Sequence, residues 1–164
     1  MKPTLYMLVG IPGCGKTTWA TNFIKEHRDI EDIRYVSRDE IRFELVDPQE
    51  RYFSHEKEVF KRFVGTIAQT LIDGFDVIAD ATHISIKSRK KLLAGIDNFG
   101  FLDYSIIFIY FNTSYAICCG RNSQRTDRAL VPQSTMESMY KNFRKPSMLE
   151  DERCIGLWLM KGIT

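Results

Sequence analysis

The sequence has few of the cysteines that a disulfide framework or a metal-bound domain needs. Its 164 residues include four, Cys14, Cys118, Cys119 and Cys154. None of them forms a Cys-x-x-Cys pair, and no histidine cluster stands near them. This spacing argues against both a disulfide framework and a cysteine-based metal site, and we expect a reduced domain.

A strong charge of one sign and long hydrophobic runs are also missing. Twenty-three basic residues against 21 acidic ones leave a formal charge of +2, so bulk charge gives no indication of a nucleic-acid partner. Any polyanion site must come from local clustering. No apolar run approaches the roughly 20 residues that span a bilayer, and no signal-peptide pattern is visible. We therefore expect a cytoplasmic protein without a membrane partner.

Short apolar runs alternate with amphipathic stretches along the chain. This alternation predicts an α/β fold with a mostly parallel sheet. The predicted strands cover residues 5–9, 33–37, 75–79, 105–111 and 154–160. The predicted helices cover residues 16–27, 39–45, 54–72 and 85–96, followed by one capped by Thr113 and one opened by Pro132 that runs through Phe143. We expect one domain over residues 1–164.

A glycine-rich segment follows the first predicted strand and opens the first predicted helix. It reads Gly10-Ile11-Pro12-Gly13-Cys14-Gly15-Lys16-Thr17, with Thr18 next. Glycines let the backbone curl around a phosphate chain, and the helix N-terminus directs its N–H groups at the anion. The lysine neutralises β/γ-phosphates, and the Thr17 hydroxyl is a ligand for Mg²⁺. The strand–loop–helix context favours a P-loop NTPase or kinase-like three-layer fold that binds ATP and Mg²⁺; Cys14 is explained as a small residue that fits.

Charged residues follow the second and third predicted strands, at the sheet edge where the glycine loop also lies. Asp39 is a candidate general base for an attacking hydroxyl, with Arg38 and Arg42 beside it to hold the acceptor. Alternatively, Asp39 caps the next helix and Arg42 is a solvated surface residue. Asp80 ends the third strand and suits a carboxylate near the metal, with capping of the turn before His83 as the alternative.

Three arginines, Arg121, Arg125 and Arg128, are clustered before Val131-Pro132. Guanidinium groups stabilise the charge of a transferred phosphoryl group, so residues 121–131 are a candidate helical lid. An ordinary charged surface helix is the alternative, which Asp127 partly supports.

The remaining histidines and lysines give weaker signals. His55 and His83 have no partner in the sequence, and we expect them to be structural or surface residues. The basic stretch from Lys87 to Lys91 is a candidate strand-binding face, although such a face is more often simply solvated.

Three stretches, taken together, resemble the polynucleotide 5′-hydroxyl kinases, in particular the kinase domain of the phage end-healing kinase-phosphatase. The resemblance covers most of residues 4–145 and includes an Asp-x-Thr at the third strand end with Arg89 beyond it. The stretches that carry it are Gly10 through Ala20, Arg38-Asp39-Glu40-Ile41-Arg42, and Arg121-Asn122-Ser123-Gln124-Arg125 continued by Ala129, Val131-Pro132 and Ser138-Met139-Tyr140-Lys141.

The resemblance implies a role for each candidate residue. Asp39 would be the general base on a 5′-hydroxyl, and Arg42 would contact the acceptor's phosphate. Arg121 and Arg125 would clamp the ATP phosphates. Two positions depart from the phage pattern: Thr17 replaces a common serine and keeps its hydroxyl, and Ser37 replaces an asparagine.

The resemblance also bears on domains and partners. The chain has no Asp-x-Asp-x-Thr/Val motif, so we expect a kinase without a phosphatase domain. A separate phosphatase and a ligase would be functional partners, and homo-oligomerisation is left open.

Three functions are compatible with these residues. The leading hypothesis is Mg²⁺-dependent transfer of the ATP γ-phosphate to the 5′-hydroxyl end of DNA or RNA. The second is a kinase of the same fold acting on a small-molecule hydroxyl, such as a nucleoside, an antibiotic or a sugar. The third is an ATPase switch module, against which the general base and the lid arginines argue.

Overall fold

A computed structural model describes residues 1–27, 32–126 and 129–161. Five parallel strands form one sheet in the order β2-β3-β1-β4-β5. The strands are β1 (Thr4–Val9), β2 (Ile33–Ser37), β3 (Asp76–Asp80), β4 (Ser105–Asn112) and β5 (Cys154–Lys161). The helices are α1 (Lys16–Glu26), α2 (Arg38–Leu45), α3 (Glu56–Ile72), α4 (Ile86–Asp97), α5 (Tyr115–Ser123) and α6 (Gln133–Asn142), with a 3₁₀ turn at Met148–Glu150.

Side chains alternate between the two faces of the sheet, as the period of two in a strand requires. Leu5 and Met7 pack with Phe63 of α3 and Leu92 of α4 in one core. Leu8, one residue after Met7, packs on the other face in a second core formed with α1, α5 and α6. The result is three layers, helix–sheet–helix, which confirms the predicted α/β fold with a central parallel sheet.

The strand order places the functional edge. From β1 the chain first builds β2 and β3 on one side and then β4 and β5 on the other. In such sheets ligands bind outside the carboxyl ends of the strands, where the order reverses. The loop after β1, the start of α2 and the end of β3 all lie at this edge.

Helix α4 differs from the expected basic face at one position. Lys87, Lys90 and Lys91 are exposed, whereas Arg89 is completely buried. Its Nε lies 2.8 Å from an oxygen of Glu150, and its Nη1 donates to the carbonyl of His83 at 2.7 Å. Arg89 therefore fixes the segment after α6 against α4 and does not contribute to a surface for a nucleic-acid strand.

Among the residues described, no helix is both long and apolar enough to cross a bilayer.

Candidate active site

The segment from Gly10 to Gly15 connects β1 to α1 in a conformation that depends on glycine. Gly13 and Gly15 have φ values of 83° and 104°, in the left-handed region that side chains disfavour. A Cβ on Gly13 would also lie 2.5 Å from the carbonyl oxygen of Cys118. The loop is thus pressed against α5, and no larger residue fits there.

Lys16 begins α1, and its side chain turns back across the loop. Its Nζ donates to the carbonyls of Gly10 at 2.9 Å and Ile11 at 3.1 Å, and lies 3.6 Å from the Sγ of Cys14. The ammonium group is therefore held over the loop without a carboxylate partner among these contacts. It is placed to exchange carbonyl contacts for phosphate oxygens.

Two further side chains hold loop carbonyls from the β4–α5 side. Thr113 Oγ1 donates to the carbonyl of Cys14 at 2.9 Å, and Arg121 Nη1 donates to that of Gly13 at 3.1 Å. The prediction that Thr113 caps α5 is wrong, because Ser114 accepts the capping bond and Thr113 supports the loop instead. With these carbonyls engaged, the first-turn N–H groups of α1, which have no intrahelical acceptors, remain for an anion.

Asp80, at the end of β3, meets the helix that follows the loop. Its Oδ2 accepts from Thr17 Oγ1 at 3.1 Å and from the Tyr35 hydroxyl at 2.5 Å. Burial, followed by the charge of Asp80, raises the pKa of Tyr35, which keeps that hydroxyl a donor. Asp80 is 7% exposed and caps no helix.

The pair of Thr17 and Asp80 fits Mg²⁺. This ion is typically held by one or two protein oxygens and completes its shell with water and substrate phosphates. No cluster of three or more histidine, cysteine or acidic residues with metal-site geometry occurs in the described residues, so a cage made of protein ligands alone is not formed there.

Arg42 occupies the centre of a charged network at the start of α2. Its Nε and Nη2 donate to Glu56 at 2.5 and 3.0 Å, and its Nη1 contacts both Asp39 and the Tyr52 hydroxyl. Burial opposes the charge on Arg42, but the bonds to Glu56 outweigh it and raise the pKa of the guanidinium. Arg42 is 5% exposed, so the alternative of a solvated surface arginine is wrong.

Asp39 is not the cap of α2. The capping oxygen belongs to Ser37, whose Oγ accepts from the N–H of Glu40 at 3.3 Å, and this gives the departure from asparagine a structural role. The Asp39 side chain is 64% exposed, with the Tyr52 hydroxyl 3.0 Å from its Oδ1. Arg38 is paired with Glu56 at 3.0 Å, and burial lowers the pKa of Arg38.

One cavity of about 1090 Å³ is bordered both by the glycine loop with Asp80 and by the network around Arg42. Residues 12–18 border it, whereas Gly10 and Ile11 are buried beneath the loop. The other predicted site residues on its wall are Arg38, Asp39, Arg42, Asp80, Arg121 and Arg125. A volume of this size is at the upper end of ligand pockets and can hold two substrates together.

The candidate lid begins inside α5. Arg121 is on its last turn, and Arg125 lies just beyond its end, exposed and on the cavity wall. Asn122 is buried, and its amide exchanges two bonds with the backbone of Val131, at 2.7 and 3.1 Å. These bonds close the base of the segment. Asp127 and Arg128 lie outside the described residues.

His83 follows β3 and is a buried structural residue. Its Nδ1 lies 2.7 Å from the carbonyl of Leu8, and its φ of 45° is positive. Burial lowers its pKa to about 3, so the ring is neutral and Nδ1 is the donor. The adjacent Thr82 accepts from Gly10 N–H at 3.0 Å. Together these bonds fix the strand before the glycine loop to the end of β3.

Sequence reasoning did not identify Tyr52, Glu56 or Asn122. Glu56 and Tyr52 lie 14 and 10 residues after Arg42 and reach it only through the turn between α2 and α3. Asn122 was quoted within the lid motif without a role. Its position between two arginines of the lid motif was the available signal, since buried asparagines commonly bind backbone groups.

Comparisons with known proteins show the family and the fold of the chain. A family model described as an AAA domain matches residues 5–146. A chain in the structure of a Pnkp1/Rnl/Hen1 complex is 28% identical, with a TM-score of 0.59 over 73% of this chain and 39% of that one. A fungal RNA kinase is 14% identical with a TM-score of 0.72, and the match covers 100% of this chain and 39% of that one. This chain thus spans about two fifths of the length of either.

A small-molecule kinase shares the fold as well. A sugar kinase from Janibacter sp. HTCC2649 is 15% identical with a TM-score of 0.63, and the match covers 98% of this chain and 86% of that one. At such identities the likeness shows the fold alone. Because the family model covers most of its length, this chain belongs to the AAA-domain family, and within it the chain is a P-loop protein that resembles the polynucleotide 5′-kinases.

Proposed function

We propose that this protein is a polynucleotide 5′-kinase, which transfers the γ-phosphate of ATP to the 5′-hydroxyl of a DNA or RNA end. One observation carries the proposal. An exposed carboxylate, Asp39, borders the same cavity as the phosphate loop and is oriented by Arg42 and Tyr52. A nucleotide-triggered switch has no need of such a carboxylate, whereas a hydroxyl acceptor does.

In the proposed reaction Asp39 accepts the proton of the acceptor hydroxyl as its oxygen attacks the γ-phosphorus. The bond from that phosphorus to the bridging oxygen breaks, and ADP leaves. Lys16 and the first-turn N–H groups of α1 hold the phosphates, and Arg121 and Arg125 stabilise the charge on the transferred oxygens. Thr17 and Asp80 would hold Mg²⁺, which supplies further positive charge at the phosphates when bound.

Arg42 positions Asp39 and does not bind the acceptor's phosphate directly. Its donors are committed to Glu56, Asp39 and Tyr52, so it orients Asp39 and presents a positive charge beneath the acceptor site. Arg38 is the better candidate to contact the acceptor's phosphate. It borders the cavity, and its buried Nε has no hydrogen-bond partner in the described part of the chain.

A small-molecule hydroxyl is the second candidate acceptor. The likeness to a sugar kinase over nearly the full length of both chains favours it, since the fold accommodates such an acceptor. The same Asp39 would then serve as the base for a sugar or nucleoside hydroxyl.

One assay separates the two candidates. Purified protein is incubated with Mg²⁺, γ-labelled ATP and DNA or RNA oligonucleotides bearing a 5′-hydroxyl, with 5′-phosphorylated oligonucleotides as matched controls. We expect label only on the 5′-hydroxyl oligonucleotides. Turnover of ATP with sugars or nucleosides, and no label on any oligonucleotide, would overturn the polynucleotide proposal.

A further inference from the structure

Three aromatic side chains border the cavity on the side of Asp39, the proposed acceptor side, and two of them have no part in the proposed transfer of phosphate. They are Phe43 on α2 and Tyr52 and Phe53 in the turn between α2 and α3, and we refer to them as the aromatic cluster. The ring of Tyr52 lies 5.7 Å from that of Phe43 and 4.8 Å from that of Phe53, both edge to face. All three border the cavity.

The two phenylalanines are partly open to the cavity and to solvent. Phe43 is 38% exposed and Phe53 is 44% exposed. The turn that carries Phe53 is well ordered by its own contacts, because Asp47 accepts from Gln49 N–H at 2.8 Å and Glu50 contacts His55 at 2.9 Å. The exposure of the rings is therefore a feature of a built surface rather than of a loose loop.

The surroundings of the aromatic cluster are charged. The guanidinium of Arg42 lies 4.8 Å from the ring centre of Tyr52 and 5.1 Å from that of Phe53. Arg38, with an unpartnered Nε, borders the same cavity. Because the donors of Arg42 are committed to Glu56, Asp39 and Tyr52, the Nε of Arg38 is the donor that a ligand can satisfy here. A ligand that contacts both the rings and Arg38 is aromatic and anionic at once, which describes a nucleotide better than a sugar or an aliphatic alcohol.

The short distance between the aromatic cluster and Asp39 also fits a nucleotide. The Tyr52 hydroxyl contacts Asp39 at 3.0 Å, so the rings begin next to the proposed general base. A 5′-hydroxyl at Asp39 belongs to a sugar that also carries a base, and that base must lie within one nucleoside's length of Asp39.

We propose that the aromatic cluster is a stacking surface for the nucleobase at the 5′ end of the acceptor strand. The enzyme would then recognise a base as well as a hydroxyl. This inference rests on the proposed function and deepens it. It places the acceptor's terminal base on Phe43 and Phe53, with its phosphate toward Arg38.

The test compares two acceptors that differ only in the terminal base. One oligonucleotide ends in an ordinary 5′-hydroxyl nucleotide, and the other in an abasic 5′-hydroxyl sugar. Wild-type kcat/KM should be about tenfold higher on the end that carries a base, since stacking on an aromatic ring contributes at that level. Phe53→Ala and Phe43→Ala should lose most of that preference, measured as the ratio of kcat/KM on the two ends.

Phe99→Ala is the matched control. Phe99 is 52% exposed and lies after α4, away from the cavity, so this variant should keep the full preference for a base. Tyr52 is left unchanged because it contacts Asp39. Thermal unfolding of each variant checks that the exposed rings are not needed for folding.

The outcomes are distinct. The stacking surface is overturned if the wild type has equal kcat/KM on both ends, or if Phe53→Ala loses kcat/KM equally on both ends. Either result would leave the proposed kinase activity intact. An equal loss on both ends would mean that the ring contacts the sugar, which the abasic end retains. Absence of label on every oligonucleotide overturns the proposed function and the stacking surface with it.

Discussion

The two sides of the cavity, the phosphate-loop side proposed for the donor and the Asp39 side proposed for the acceptor, are held by different kinds of contact. On the donor side, Lys16, Thr113 and Arg121 each donate to backbone carbonyls of the segment from Gly10 to Cys14. On the acceptor side, Arg42 binds the side chains of Asp39, Glu56 and Tyr52. The first is a backbone structure supported by side chains, and the second is a side-chain network.

This difference predicts how each side responds to substitution. A loop shaped by glycines and carbonyl contacts keeps its form when one supporting side chain is removed, so losses there should appear in the chemistry. A network in which one buried guanidinium serves several partners loses its geometry when any member changes, so losses there should appear in stability as well. The substitutions below test this contrast.

Removing Arg125 should have the largest effect. Arg125 is exposed at the cavity wall and has no side-chain role in the fold among the contacts described, so Arg125→Ala should fold normally. If it acts as an arginine finger, single-turnover transfer should slow by about 10³-fold or more. Arg62→Ala, which removes an exposed arginine paired with Glu44 on the surface, is the control. A change of only a few-fold would show that Arg125 is an ordinary surface residue without a part in the transfer.

Asp39→Asn tests the acceptor side at its reacting group. Loss of a general base should slow transfer by about 10²-fold or more while ATP affinity is kept. Equilibrium binding of a labelled nucleotide and single-turnover transfer separate the two effects. Asp103→Asn, at a carboxylate that is 80% exposed, should leave both unchanged. An equal loss of ATP affinity and transfer would place Asp39 on the donor side.

Glu56→Gln tests the network itself. Arg42, whose side chain is 7% exposed, would lose one of its two carboxylate partners and keep Asp39. We expect the free energy of unfolding to fall by about 2 kcal/mol, and transfer to be reduced because Glu56 no longer fixes the guanidinium that orients Asp39. Urea denaturation measures the first effect and the transfer assay the second.

The matched control for Glu56→Gln is Glu44→Gln. Glu44 is also paired with an arginine, Arg62, at 2.6 Å, but both side chains of that pair are about half exposed. Such a pair contributes less than about 1 kcal/mol. Equal losses in the two variants would show that the Arg42 network contributes no more to the free energy of unfolding than an exposed ion pair does.

The same contrast explains what sequence reasoning could reach. The strands, helices and glycine loop were predicted within a few residues, because period and turn chemistry are local signals; β2, for example, spans Ile33–Ser37 as expected. The helix ends were less exact. Pro132 is the N-cap of α6 and not a first-turn residue, and at α5 the adjacent Ser114 accepts the capping bond while the Thr113 hydroxyl bonds to the loop.

The acceptor network was less accessible. Asp39 and Arg42 stood out as charges beside a strand end, but their burial and pairing depend on how α3 packs against α2. Glu56 and Tyr52 were therefore missed, since nothing local marks a glutamate or a tyrosine as the partner of a distant arginine. For the same reason Arg89 was grouped with the exposed lysines of α4, because its partner Glu150 lies 61 residues away in the sequence.

His83→Asn gives the smallest expected effect and tests the rigidity of the donor side. The folded protein holds His83 neutral, with a pKa lowered to about 3 from a usual value near 6.5. Between these values the unfolded chain binds a proton that the folded chain does not, so stability is lost as the pH falls through 6.5. At pH 5.5 the loss from this group should be about 1 kcal/mol relative to pH 7.5.

An asparagine at position 83 retains an N–H that can reach the Leu8 carbonyl and tolerates the positive φ of 45°. The variant should therefore keep its stability between pH 7.5 and 5.5 better than the wild type does, as measured by urea denaturation at each pH. His55→Asn, the same change at a histidine on the acceptor side, should retain the wild-type slope. If His83→Asn retains it too, the imidazole titrates freely in the folded protein, and the link between β1 and the end of β3 is looser than its hydrogen bond to Leu8 implies.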